Sequence, residues 1–357
     1  MEVIMSKENA ISALYMEMPN KIPRTEYSAH THWELVKAVT GIDVSAESSG
    51  KVKSDASSEF VKAWDYGFMW NVWANSKNCL QDYYTKMGHA VYASGGVDFS
   101  RDVTCPFEDP EDVLAFRPSE FYTIPDRKAV LDSINANYRM HEEHYPCGFN
   151  MTGSYISCFS GLIEMFGWEM MLMAAGMDPK GFGEVTKDYG KFILKYFEIL
   201  AESEAPVAMI HDDLCWTSGP VMAPEWYREY VFPILKKETS ILKEAGKKVL
   251  FTSDGTYDEF IDDLADCGVD GFVLEPTTNM KYIAERYGKS HVIVGNADTR
   301  ILLSGTKDDI EAEVRRCIDI GRDCPGFFMA VGNHIPSNTP VENALYYNQM
   351  YEKYAVR

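Results

Sequence analysis

The sequence predicts an α/β fold of the (β/α)8 TIM-barrel class. From residue 205 onward, five short apolar runs each stop at a polar, often acidic, cluster, and segments of helical period separate them. No Gly-rich phosphate loop of the dinucleotide or P-loop type occurs. Apolar runs of this length are buried parallel strands. Strands alternating with helices give a parallel sheet, and barrels of this kind do their chemistry at the carboxyl ends of the strands.

The five runs are Pro206–Ile210 before His211-Asp212-Asp213, Lys248–Phe251 before Thr252-Ser253-Asp254-Gly255, Gly271–Leu274 before Glu275-Pro276, Val292–Gly295 before Asn296-Ala297-Asp298, and Phe327–Gly332 before Asn333-His334. A sixth strand is expected near Tyr145–Met151, ending at Thr152-Gly153-Ser154, and one or two more in the first hundred residues. Helical period covers Glu8–Glu17, Trp33–Thr40, Phe182–Glu202, Pro224–Ala245, Tyr257–Cys267, Met280–Tyr287, Lys307–Gly321 and Val341–Tyr354. Pro224 early and Gly246 after the end give one of them the usual start and stop asymmetry. Thr306 followed by Asp308 and Asp309 reads as an N-cap with acids in the first turn. The aromatic-rich stretch Ser57–Ser94 reads as a strand plus a large loop lying over the barrel mouth. One domain over 1–357 is expected, with an irregular N-terminal part and lid (1–144) and clear β/α repeats (145–357).

A net charge of −20 argues against a nucleic-acid or anionic-membrane partner, which needs a Lys/Arg footprint. The eight cysteines form no C-x-x-C pair, so neither a zinc ribbon nor a disulfide framework is expected. No run of eighteen apolar residues and no basic-then-apolar leader is seen, which makes a cytoplasmic location the expectation.

Gly295-Asn296-Ala297-Asp298 with Leu302-Leu303-Ser304-Gly305-Thr306, the stretch Gly332–Asn343, and Asp212/Asp213 followed by Pro224-Glu225 and Phe232-Pro233 occur in that set and spacing. Together they resemble the uroporphyrinogen decarboxylase superfamily over about residues 145–350. The resemblance implies that superfamily's barrel, with an N-terminal extension, and one of two activities: porphyrinogen decarboxylation without a cofactor, or methyl transfer involving a corrinoid protein, usually with zinc. The decarboxylases share an arginine-rich N-terminal stretch that binds substrate carboxylates. The corresponding stretch here, Pro23–Trp33, keeps only Arg24, with Glu26 beside it. A polycarboxylate needs a cationic clamp, since Arg pairs bidentately with carboxylate. The thiol-methylating branch resembles a different pattern, in which His and Cys after two strands hold zinc. Here those places read Thr252-Ser253-Asp254-Gly255 and Gly332-Asn333-His334, so hard oxygen and nitrogen groups replace soft sulfur.

The resemblance therefore implies a methyltransferase acting on a small non-thiol donor, such as a methyl ether or methylamine, with a corrinoid carried by a partner protein. No D-x-H-x-x-G cobalamin signature occurs in the chain itself. Decarboxylation of a small carboxylated or tetrapyrrole substrate and non-catalytic corrinoid or tetrapyrrole binding are the competing readings; a homo-oligomer stays open. Methyl-ether cleavage needs acid help at the leaving oxygen. The expected catalytic residues are Asp254, Glu275, His334 and Asp213. His211, Asp212, Asn296, Asn333, Trp216 and Tyr155 are the expected substrate-binding residues, with Asp254 and His334 as ligands of a zinc ion. Asp298 is expected to orient these groups or fix its loop. His30, His32 and His89 are candidates to enter from the lid, and Trp64, Tyr66 and Trp70 to line an aromatic pocket.

Overall fold

Val207–His211 lies inside a six-stranded parallel sheet that also contains Thr152–Ser154, Lys248–Thr252, Gly271–Val273, Val292–Val294 and Phe327–Phe328. The computed structural model describes residues 3–85, 104–124 and 126–357. The sheet closes on itself through two short segments near the N-terminus. Phe149–Asn150, one residue before Thr152–Ser154, pairs in parallel with Phe68–Met69. Arg24 then makes parallel bridges to both Tyr66 and Met329. Its carbonyl accepts the Gly67 N–H at 2.9 Å, while Met329 N–H donates to Pro23 O at 2.8 Å and Thr25 N–H to Met329 O at 3.1 Å. Residues 23–25 are thus the strand that joins the first side of the ring to the last, and among the described residues eight parallel strand segments form the predicted barrel.

Alternation along the strands builds two cores, as barrel geometry requires. Val207, Met209, Leu250, Val292, Val294 and Phe328 point inward and pack with Ala10, Ala13 and Leu14 of the helix Val3–Leu14. That helix closes the end of the barrel opposite the strand carboxyl ends: Tyr15, just past it, lies against Lys248 at the start of its strand. Ala208, Ile210, Val249 and Phe251 point outward under the helical layer.

Trp33–Thr40, Met280–Tyr287, Lys307–Gly321 and Val341–Tyr354 form as expected. Thr306 and Asp309 complete a capping box. The expected helix Pro224–Ala245 is two, Pro224–Tyr230 and Phe232–Glu244, because Pro233 lacks the N–H that would continue the first turn. The reading of Ser57–Ser94 as strand plus loop needs correction. Its first part belongs to the helix Gly50–Ala63, capped by Ser49 and buried through Ala56, Phe60 and Val61. The strand is only Phe68–Met69, and the lid with His89 lies outside the described residues. Arg127–His144 and Cys158–Met177 are helices the sequence did not announce. Cys158–Met177 is long and apolar enough by composition to cross a membrane, but 72% of that window is buried within the fold.

Candidate active site

A cavity of ≈ 260 Å³ opens where the strands end. Its wall is built strand by strand: Tyr27 after residues 23–25, Tyr155 after Thr152–Ser154, His211 and Thr252 at the tips of their strands, and Asp254 two residues further on. Val273, Leu274 and Glu275 follow on the next strand, and Asn333 and His334 come from the last. Among the described residues the lining includes no Lys or Arg. Six expected residues therefore converge: Asp254, Glu275, His334, His211, Asn333 and Tyr155.

Local structure fixes these side chains. Asp254 precedes Gly255, which has φ +78° and lies so close to the Cys215 carbonyl that a Cβ would meet it at 2.5 Å. Only glycine makes that turn. Asn333 itself adopts φ +77°, a conformation Asn tolerates. Tyr27 stacks on Trp70 with centroids 4.5 Å apart, and its ring lies 5.8 Å from His334. Tyr155 meets the His211 ring edge-on at 5.0 Å.

Asp213 sits beside the lining. Its Oδ1 lies 3.3 Å from His211 Nε2 and accepts the Asp254 N–H at 3.0 Å. His211, Asp213 and Asp254 bring three donor atoms within 4.8 Å of one another, a set able to hold a metal ion. His334, expected as a metal ligand with Asp254, is not in that set.

Desolvation and the neighbouring carboxylate of Asp254 push the Glu275 carboxyl up to about 8, partly offset by a hydrogen bond from Asn333. Desolvation pushes His334 down to about 4, so this ring is neutral at ordinary pH, and a neutral imidazole is a poorer acid than the expectation of a proton donor required. Tyr155 is pushed up to about 12 by desolvation, with Asp254 and Asp213 adding to it.

The other expected residues stand elsewhere. Asp212 is fully buried and turned toward the start of the helix Cys158–Met177, where Oδ1 accepts the Ser160 N–H at 2.6 Å. A helix N-terminus favours an anion, yet burial outweighs this and pushes Asp212 up to about 7. Asn296 fixes a loop: Nδ2 donates to the Glu275 and Thr278 carbonyls, both at 3.1 Å, and Oδ1 accepts from Arg316 at 3.0 Å. Asp298 caps the helix Thr299–Ser304 and pairs with Arg300. Trp216 is 46% exposed on the hairpin Cys215–Trp216/Gly219–Pro220, against Trp168. His32 caps Trp33–Thr40 and reaches the Thr339 carbonyl at 2.8 Å. His30 packs against Tyr66 and Tyr145, outside the lining. Trp64 and Tyr66 are buried around Arg24. Trp70 stands behind the cavity residue Tyr27, on which it stacks. Tyr27 and Thr252 were not among the expected site residues: Tyr27 follows a strand too short to show alternation, and Thr252 is a strand-end hydroxyl beside more reactive groups.

The sequence model of the uroporphyrinogen decarboxylase (URO-D) family matches residues 91–354. The chain belongs to that family. Uroporphyrinogen decarboxylases are among its relatives. The one from Syntrophotalea carbinolica is 24% identical over 69% of this chain and 75% of its own length. Those from Paraburkholderia phytofirmans (30%, 42% of this chain, 41% of its own) and Geobacter sulfurreducens (27%, 61% and 63%) align over less than two thirds of their length. In fold, this family member resembles a methyltransferase from Methanosarcina mazei, with a TM-score of 0.65 at 18% identity over 98% of this chain and 99% of the other.

Proposed function

We propose that the chain is a methyltransferase that moves a methyl group from a small non-thiol donor, a methyl ether, to the cobalt of a partner corrinoid protein. The observation that carries this reading is a small, acid-lined cavity with no basic clamp among the described residues. Its ≈ 260 Å³ falls below the ~300–1,000 Å³ of sites for drug-sized ligands. Arg24, the one arginine left in the N-terminal stretch, is fully buried, pairs with Glu26 at 3.2 Å and is enclosed by the rings of Trp64 and Tyr351. It is committed to the wall and cannot also hold a substrate carboxylate. The two places that carry cysteine in the thiol-methylating branch hold Asp254 and Asn333 on this cavity, with His334 next to Asn333, which argues against a thiol donor.

In the reaction, the ether C–O bond breaks with its electron pair going to oxygen, which takes up a proton. A Co–C bond forms with the pair supplied by Co(I). Glu275 stands on the cavity wall as the proton source, and Asn333 orients it. Thr252, Tyr27 and Tyr155 hold the donor's body. The test is to supply free cob(I)alamin with an aryl methyl ether, a methylamine and a methylthiol, and to follow methyl–Co(III) absorbance. Turnover with the ether and not the thiol supports the reading. The relatives' names favour decarboxylation as the second reading, and carbon dioxide release from uroporphyrinogen at an enzymatic rate would establish it instead.

A further inference from the structure

We infer that His211, Asp213 and Asp254 form a binding site for one divalent cation of borderline-to-hard character, of the zinc or cobalt(II) type, at the ends of two adjacent strands. The site differs from the Asp254–His334 pairing expected from the sequence. It draws two of its three ligands from the strand Val207–His211 and the turn after it.

Distance is the first argument. His211 Nε2 and Asp213 Oδ1 are 3.3 Å apart. Ligand atoms at ~2.0–2.2 Å from a tetrahedral zinc are separated by about that length. All three donor atoms lie within 4.8 Å, so a modest closure of Asp254 completes the set. The second argument is pre-organisation. The Asp254 N–H holds Asp213 Oδ1 at 3.0 Å, and Tyr155 packs against the His211 ring. Ligands oriented by such neighbours bind metal more tightly than ligands left free. The third is charge. Carboxylate oxygens of Asp213 and Asp254 lie within 4.8 Å of one another, and like charges this close repel unless a cation or proton intervenes. The fourth is donor chemistry. One imidazole and two carboxylates, with no sulfur, suit zinc, cobalt or manganese and disfavour Cu(I). His211 and Asp254 line the cavity, and a set of three protein ligands leaves the open position typical of a catalytic metal.

When bound, the cation would act as a Lewis acid on a donor oxygen. That role rests on the methyl-transfer reading, but the site itself does not.

The experiment is metal analysis of the full-length protein, followed by chelation and titration of the metal-free protein with Co(II), read by visible d–d absorption and by the shift in melting temperature. We expect about one cation per chain and a band that saturates at that ratio. His211→Gln, Asp213→Asn and Asp254→Asn should each weaken Co(II) binding by more than the ~10–100-fold that even an outer ligand-orienting residue costs. His334→Ala should keep the band. Melting of each metal-free variant beside metal-free wild type separates lost ligation from lost folding: a variant that melts like wild type but gains nothing from Co(II) supports the site. Wild-type protein that takes up no cation would overturn it, as would a band lost in His334→Ala and kept in Asp213→Asn. A cation bound through these three residues supports the inference whether or not methyl transfer is seen, and methyl transfer by a protein that takes up no cation leaves the proposed function standing while the inference falls.

Discussion

Two groups of carboxylates near the barrel mouth differ in what the chain provides for them. Glu26 is buried in the wall with its partners built in. Arg24 lies at 3.2 Å, the Tyr347 hydroxyl at 2.8 Å and the Val331 N–H at 2.9 Å. The arginine in turn is stacked among Trp64, Tyr347 and Tyr351. Asp254 and Glu275 line a cavity, with Asp213 beside Asp254, and the described lining offers histidines, hydroxyls and an amide but no Lys or Arg. A buried acid whose counter-charge comes from the same chain belongs to the fold. Acids grouped with a histidine at the edge of a cavity are arranged to receive something that arrives from outside.

The contrast predicts opposite phenotypes. Glu26→Ala leaves Arg24 buried without its counter-ion, and breaking a buried pair typically costs about 3–5 kcal/mol. Denaturant unfolding should show a loss of that size. Asp254→Asn should cost the fold no more than the ~1 kcal/mol of an ordinary point change, yet methyl transfer should fall by about 10²-fold or more. A large stability loss in Asp254→Asn would erase the distinction between the two groups.

Glu275→Gln sharpens it within the cavity. If Glu275 protonates the leaving oxygen, the variant should lose more rate with methyl ethers than with quaternary ammonium or sulfonium donors, whose leaving groups need no proton. Rate ratios across the donor series measure this, and an equal loss for all donors would reduce Glu275 to a shaping role.

The smallest expected effect concerns His30, which lies outside the cavity lining. Desolvation holds it down at about 4, against ~6.5 in an unfolded chain. Between those values the unfolded chain binds more protons, so stability rises with pH across the window and is lost as pH falls from about 6.5 toward 4. His30→Phe should flatten the acid side of the melting-temperature profile between pH 6.5 and 4 without changing the cation affinity of the cavity. An unchanged slope would show that His30 protonates freely in the folded protein.

How much of this the sequence revealed follows from strand length. Runs such as Val207–His211 and Lys248–Thr252 are long enough for an apolar stretch and a polar stop to be seen together. The closing segments pair through one or two residues, Arg24 on one side and Phe68–Met69 on the other, and leave no such trace. Gly50–Ala63 was hidden because its exposed face is crowded with Lys, Ser and Asp, and only Ala56, Phe60 and Val61 mark its buried side. At the site, the strand-end rule found Asp254, Glu275, Asn333 and His334. It could not separate Asp212 from Asp213. Successive side chains leave a strand on opposite faces, so one of two adjacent acids reaches the cavity edge and the other a helix N-terminus. Register, which the sequence does not print, decides which. The grouping of His211 with Asp254 across 43 positions follows from the parallel pairing of His211 with Thr252.

The most direct test of the account is the absorbance of cob(I)alamin mixed with the purified protein and an aryl methyl ether. The account predicts conversion to methyl–Co(III) with release of the phenol, dependent on Asp254 and Glu275. Coproporphyrinogen formed from uroporphyrinogen at an enzymatic rate, with cob(I)alamin left unmethylated by every donor, would contradict it.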